Sequence, residues 1–187
     1  MSKHYNQDDS SVFVVIGSGA GGGTLANELA QKGIDVVCLE AGKRLTFGDI
    51  EQDPAVMHGR MSWLDARQGI PVWLCKTVGG TTMRWAAVTP RLMEHEFRSL
   101  STYGQLDDCS LIDWPLSLDE LDPYYLKAEK KMGVTGTHGM PASFEHNNYQ
   151  VMQAGGHKIG YREITSERMA INSAASDGRP ACRQMGF

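Results

Sequence analysis

The chain has 187 residues, of which 41% are apolar and 21% charged, and a formal net charge of −4. These are the proportions of an ordinary globular protein with one domain, or one and a half. The scattered Lys and Arg residues exclude the basic stripe of a nucleic-acid binder, and no apolar run is long enough to span a bilayer.

The polar start MSKHYNQDDSS lacks the apolar segment of a secretory signal. Cytoplasmic residence is therefore the expectation, with co-export to the periplasm alongside a partner as the alternative. Val12 to Ile16, VFVVI, is a run of β-branched and aromatic residues and reads as a buried strand. Gly17-Ser18-Gly19-Ala20-Gly21-Gly22 follows at once and forms a GxGxxG with its glycines at Gly17, Gly19 and Gly22. Helix-favouring residues run from Ala20 to Lys32, with Leu25, Ala26 and Leu29 on one side, and Gly33 supplies the helix stop. Ile34 to Leu39 reads as the second strand, in which Cys38 is expected to be a buried thiol, and Glu40 stands at its carboxyl end.

Each part of this β-turn-α-β stretch has a role in holding a dinucleotide. Gly17 permits the tight turn, Gly19 admits the pyrophosphate to the backbone, and Gly22 lets the helix pack on the strand. The helix N-terminus around Ala20, Gly21 and Gly22 offers unbonded amides to the phosphates. Glu40, just over twenty residues beyond Gly17, accepts hydrogen bonds from an adenosine ribose and repels a 2′-phosphate. NAD and FAD share the ADP half, so this motif fits both. In LEAGKR, a small residue, Ala41, and a glycine after Glu40 let the chain turn beside the adenine.

Lys76 to Leu92, KTVGGTTMRWAAVTPRL, is the second informative stretch. Gly79 and Gly80 allow backbone to lie against a flat ligand, and Thr81 and Thr82 offer hydroxyl donors. Ala86 and Ala87 keep the following turn thin, before a helix expected to carry Arg91 to Phe97. Ser117 and Glu120 form a capping box, and Asp122-Pro123 is expected to restart a helix. On that helix Tyr124, Ala128 and Met132 are expected to share a face, with Glu129, Lys130 and Lys131 outward and Gly133 at its end. YQVMQAGGHKIGY reads as a short helix weakened by Gly155 and Gly156, and REIT…MAINS as strand-like.

Cys38, Cys75, Cys109 and Cys182 form no CxxC pair and indicate neither a disulfide framework nor a zinc site. His4, His58, His95, His138, His146 and His157 have no Glu, Asp or Cys at metal-ligand spacing, so no metal is expected. DGRPACRQMGF ends at Phe187 without a polar tail or helix stop, and the chain is expected to be part of a longer polypeptide.

The pair GSGAGGG…LEAG and VGGTTMRWAAVTPR resembles the glucose-methanol-choline (GMC) family of FAD-dependent oxidoreductases. The similarity is strongest to its bacterial sugar and sugar-acid dehydrogenases and its pyranose-oxidase-like branch. WPLSLDELDPYYLKAEKKMGVTG, Trp114 to Gly136, and MAINSAASDGRPACRQMGF, Met169 to Phe187, fit that branch, which leaves Thr46 to Leu74 as the variable part. The resemblance implies an α/β, Rossmann-like FAD-binding fold with three layers and a parallel sheet, incomplete at its C-terminus, with residues 1–187 as an N-terminal FAD-binding domain. It places Gly79, Gly80, Thr81, Trp85 and Ala86 near the flavin, in addition to the ADP-binding set Gly17, Gly19, Ala20, Gly21, Gly22, Glu40 and Ala41. Some relatives attach FAD through a histidine just before the tryptophan; Arg84 stands there in this chain, which implies non-covalent FAD.

The implied activity is hydride transfer from a CH–OH carbon of a sugar or alcohol to flavin N5, with an electron-acceptor protein such as a cytochrome as a partner. In the family the base is a histidine near the C-terminus of a much longer chain. No residue here matches that motif, so no catalytic residue is assigned, and this chain alone is expected to be inactive without the C-terminal region. Two other readings stay open. An NAD-dependent Rossmann dehydrogenase explains Gly17 to Glu40 but leaves Val78 to Arg91 unexplained; the other is a non-catalytic dinucleotide-binding fragment, unable to retain flavin without its missing half.

Overall fold

The computed structural model describes residues 4–46, 62–64 and 71–183. His58 and most of the variable stretch between Thr46 and Leu74 lie outside them, as do the last residues up to Phe187. The chain divides into two compact units, one up to Ala86 and one from Ala87 onward.

In the first unit, strand β1 (Val12–Ile16), helix α1 (Ala20–Gln31) and strand β2 (Asp35–Leu39) form a β-α-β unit. The strands are parallel, paired from Val12 with Asp35 to Ile16 with Leu39. That pairing follows from their β-branched, pleat-filling residues. α1 ends where sequence chemistry demands: the Ile34 amide reaches back to the Leu29 carbonyl at 3.2 Å, across Gly33 at φ 75°. Only a residue free of a Cβ adopts that conformation without strain. The helix packs on the strand through Gly22, where a Cβ would lie 3.2 Å from Val15 Cγ1.

Val15 is therefore buried, at 7% exposure, but the rest of β1 is not. Val14 and Ile16 alternate to the face away from α1 and are 59% and 85% exposed. The expectation of a buried strand holds for one residue only, and Cys38, expected to be buried, is exposed as well. The physical reason is coverage: among the described residues this sheet has two strands and a single helix across it. A parallel sheet becomes buried only when both faces are covered. The unit continues with an antiparallel pair, β3 (Ser62–Leu64) and β4 (Pro71–Cys75), whose register shifts between Ser62 and Trp63. A 3₁₀ helix, Gly80–Arg84, follows.

The second unit is helical, with α2 (Glu94–Phe97), α3 (Ser99–Tyr103), α4 (Leu118–Met132) and α5 (Asn147–Lys158). Its core gathers Phe97 and Val134, both fully buried, with Thr135 and Glu129. Trp114 meets Phe97 edge-on at 5.6 Å. The capping box forms as expected: the Ser117 hydroxyl accepts from the Glu120 amide and the Glu120 carboxylate accepts from the Ser117 amide at 2.8 Å. Gly133, in the left-handed conformation, ends α4.

Several local expectations are corrected here. α4 runs unbroken through Pro123 instead of restarting there, because capping at both ends outweighs the one backbone donor that proline removes. Its inward face holds Glu129, only 4% exposed, while Tyr124 is 69% exposed. Glu129 was expected to point outward; it is drawn in by Arg91, whose Nε and Nη2 donate to its two oxygens at 2.6 and 2.7 Å. Arg168 adds a further donor at 3.2 Å, and His138 Nε2 lies 3.5 Å away. The Arg91 guanidinium, through its hydrogen bonds to the carboxylate, is the main cause that holds the Glu129 carboxyl below its ordinary range. The helix expected from Arg91 begins only at Glu94, since Arg91 is committed to Glu129 and Asp122.

The strand-like reading of REIT…MAINS reduces to an isolated antiparallel bridge between Val88 and Met169. The Thr135 hydroxyl takes the Met169 amide at 3.0 Å, and Asn172 at φ 48° turns the chain away. α5 forms across Gly155 and Gly156. Gly156 lies close to Ile164: a Cβ on it would come within 2.3 Å of Cδ1, the end of that side chain, which would have to turn aside.

Candidate dinucleotide site

The turn between β1 and α1 is held from both sides. Gly17, at φ 89°, donates its amide to the Leu39 carbonyl at 2.7 Å and so ties the turn to the end of β2. Gly22 is obligatory: a Cβ on it would lie 2.0 Å from the Gly17 carbonyl oxygen. Gly19 is the N-cap of α1, and a Cβ on it would meet nothing within 4 Å. The first intrahelical bond of this turn runs from the Gly23 amide to the Gly19 carbonyl at 2.8 Å. The amides of Ala20, Gly21 and Gly22 precede it and face outward at the positive end of the helix. No acidic residue sits in that first turn. Open space beside Gly19, forward-pointing amides and a first helical turn without an acid together fit a phosphate group.

Glu40 lies at the carboxyl end of β2, as expected, and is half-buried. One of its oxygens accepts from the Ser18 amide at 3.0 Å and the Ser18 hydroxyl at 2.7 Å. The other accepts from the Gly42 amide at 2.7 Å. The Ser18 bonds, then that of Gly42, lower its pKa to about 2. The carboxylate is therefore charged throughout the physiological range.

The second glycine motif is drawn to the same place. Gly42 lies directly on the backbone of Lys76 and Thr77, where a Cβ would come within 2.2 Å of the Thr77 amide nitrogen. Lys43 and Thr77 form a parallel bridge, and the Thr77 hydroxyl, in a residue 1% exposed, donates to the Lys43 carbonyl at 2.8 Å. This seats Gly79, at φ 96°, so that its amide donates to the Ser18 hydroxyl at 2.9 Å. Gly80 closes the approach: a Cβ on it would lie 2.9 Å from Gly19 Cα. Two glycine turns, distant in sequence, meet backbone to backbone.

Of the expected site residues, Gly17, Gly19, Ala20, Gly21, Gly22, Glu40, Gly79 and Gly80 thus stand in one cradle. Ala41, exposed, links Glu40 to Gly42. Thr81 is on the 3₁₀ helix, where its hydroxyl accepts from the Cys75 amide at 3.3 Å. Trp85, 36% exposed, and the exposed Ala86 lead out of that helix. Sequence reasoning gave Ser18 and Thr77 no role. Their identities are visible in the motifs, but their partners lie up to 61 residues away. Gly42 was expected to ease a turn; its function is the close approach of Thr77. Among the described residues no group of acids, histidines and cysteines could hold a metal ion, and no helix is long and apolar enough to cross a membrane.

Comparison with known proteins agrees with this geometry. Residues 15–61 match a family described as an NAD(P)-binding Rossmann-like domain. The chain is 30% identical to the fructose dehydrogenase large subunit of Gluconobacter japonicus, over 95% of this chain and 39% of that protein. It is 33% identical to paromamine 6'-oxidase of Streptomyces fradiae, over 95% of this chain and 34% of that protein. A third relative, 2-methyl-1,2-propanediol dehydrogenase of Mycolicibacterium austroafricanum, is 32% identical over 72% of this chain and 26% of that protein. The chain fits the N-terminal part of a GMC-type oxidoreductase. It spans well under half the length of the curated relatives it matches. The Rossmann-like α/β fold read from the glycine motif stands, and the relatives named are dehydrogenases and oxidases.

Proposed function

We propose that the cradle around Gly19 and Gly80 holds FAD without a covalent link. We further propose that the whole protein is a GMC-type oxidoreductase acting on a CH–OH group of a sugar or alcohol. The observation that carries this reading is the meeting of the two glycine motifs, with Gly80 packed on Gly19 Cα. A nicotinamide site needs the first motif; it leaves unexplained why the second is seated against the phosphate turn through Gly42, Thr77 and Ser18.

In this reading the amides of Ala20, Gly21 and Gly22 bind the pyrophosphate, and Glu40 orients the adenosine ribose. Gly79 and Gly80 carry the backbone past the phosphates, and the exit of the 3₁₀ helix, with Trp85 and Ala86, leads toward the flavin. When bound, FAD supplies the hydride acceptor; the protein supplies position and electrostatics. The relatives' names, a fructose dehydrogenase large subunit among them, support a sugar or alcohol as substrate and a partner subunit; an electron-acceptor protein such as a cytochrome belongs to the same proposal. The catalytic base belongs to sequence outside this chain.

The test is the colour of the full-length natural protein. Flavin absorbance in the visible blue, moving wholly into the supernatant on acid precipitation, supports non-covalent FAD. Flavin retained in the washed pellet refutes the non-covalent reading. Colourless protein that binds NAD refutes FAD.

A further inference from the structure

Ser18 is the only polar side chain in the turn Gly17-Ser18-Gly19-Ala20-Gly21-Gly22. Its hydroxyl has one proton to give, and it gives it to Glu40 at 2.7 Å. A lone pair of the same oxygen receives the Gly79 amide at 2.9 Å. The hydroxyl is therefore polarised in one direction, from Gly79 through Ser18 to the Glu40 carboxylate, and links segments 22 and 61 residues away.

An ionised carboxylate offers about four acceptor positions. The Glu40 oxygen facing Ser18 has both of its positions filled, by the Ser18 amide and hydroxyl, and the other oxygen has one filled, by the Gly42 amide. The Ala41 amide also favours the charged carboxylate.

We propose that Ser18 is a positioning residue of the dinucleotide site. Its hydroxyl couples the ribose-binding carboxylate Glu40 to the Gly79 end of the second glycine motif. The proposal rests on the dinucleotide reading given above. It assigns to one side chain the alignment of the two turns between which the ligand lies. Replacing Ser18 by Ala keeps the Ser18 amide bond and removes both bonds of the hydroxyl. Thr keeps the hydroxyl.

The experiment uses the full-length natural protein, stripped of cofactor, and its Ser18→Ala and Ser18→Thr variants. FAD and ADP are titrated separately against each, the pH of half-release is measured, and amide hydrogen exchange is followed at Gly79. Exchange at Leu29, inside α1, reports whether the fold is intact. Ser18→Ala is expected to bind FAD and ADP about tenfold more weakly, the scale of a lost hydrogen bond or two. Its Gly79 amide should exchange at least about tenfold faster with Leu29 unchanged. Release should begin at a higher pH, because Glu40 loses a donor that favours its charged form. Ser18→Thr should stay within about threefold of the unchanged protein on every measure. Unaltered affinity and Gly79 protection in Ser18→Ala overturn the proposal, and so does a Ser18→Thr variant as impaired as Ser18→Ala. If the unchanged protein binds neither FAD nor ADP, the dinucleotide reading itself falls. A Ser18→Ala variant that binds normally sinks only the role of Ser18.

Discussion

Replacing Gly22 by Ala sets two physical effects against each other. Ala is favoured over Gly inside a helix by about 1 kcal/mol. Against this, the new Cβ would lie 2.0 Å from the Gly17 carbonyl oxygen and 3.2 Å from Val15 Cγ1. Ordinary carbon–oxygen contact needs about 3.3 Å, so α1 has to retreat by about 1 Å. The obstacle is backbone, held by the Gly17–Leu39 bond at 2.7 Å, and cannot swing aside as a side chain would. Overpacking of this kind costs about 3 kcal/mol at its upper end, which leaves a net loss of about 2 kcal/mol after the propensity gain. Gly21→Ala is the matched control, since a Cβ there meets nothing within 4 Å; it should be neutral or stabilising by up to about 1 kcal/mol. Denaturant unfolding of the full-length protein and both variants measures the difference. A Gly22→Ala variant as stable as Gly21→Ala would refute the close packing of α1 on the phosphate turn.

Gly19→Val should fold normally, because the position is open and its backbone, φ −64° and ψ −168°, is extended, yet it should lose dinucleotide binding; full flavin occupancy would place the phosphate elsewhere. Glu40→Ala should weaken FAD binding on the order of tenfold by removing a charged acceptor, as read by titration. Because the Glu40 pKa is depressed to about 2, its contribution is full above its ordinary value of 4.5 and is lost only as pH falls toward 2, so its contribution to binding should be flat from pH 7 to 5. Glu129→Gln should destabilise the protein by about 2–3 kcal/mol, less than for a fully buried pair because Arg91 keeps Asp122 and is 23% exposed, and denaturant unfolding without a change in midpoint would contradict the buried ion cluster. That carboxyl is also depressed, so the stability it contributes should be present above about pH 4.5 and fall as the solution is acidified below it.

Local chemistry by itself determined the β1–α1–β2 unit. A β-branched run, a glycine turn, a helix with a glycine stop and an acid after the next strand are all read within some thirty residues. The same is true of the capping box at Ser117 and the stop at Gly133, where each signal and its target are a few residues apart. Short-range pattern succeeds there because backbone hydrogen bonding and φ preference are properties of neighbours. It failed where the partner is remote. The face presented by α4 depends on Arg91, 38 residues earlier, which turns an outward-reading Glu129 into a buried one. The burial of β1 depends on what covers each face, and periodicity cannot supply that. In the candidate site the glycines, Glu40 and the Gly79–Gly80 pair were visible as types, but only the tertiary structure put Gly80 against Gly19 and Thr77 under Gly42. It also made Ser18 the bridge between Gly79 and Glu40, because contacts at 2–3 Å between distant segments are decided by the packing of the whole unit and leave no period in the chain.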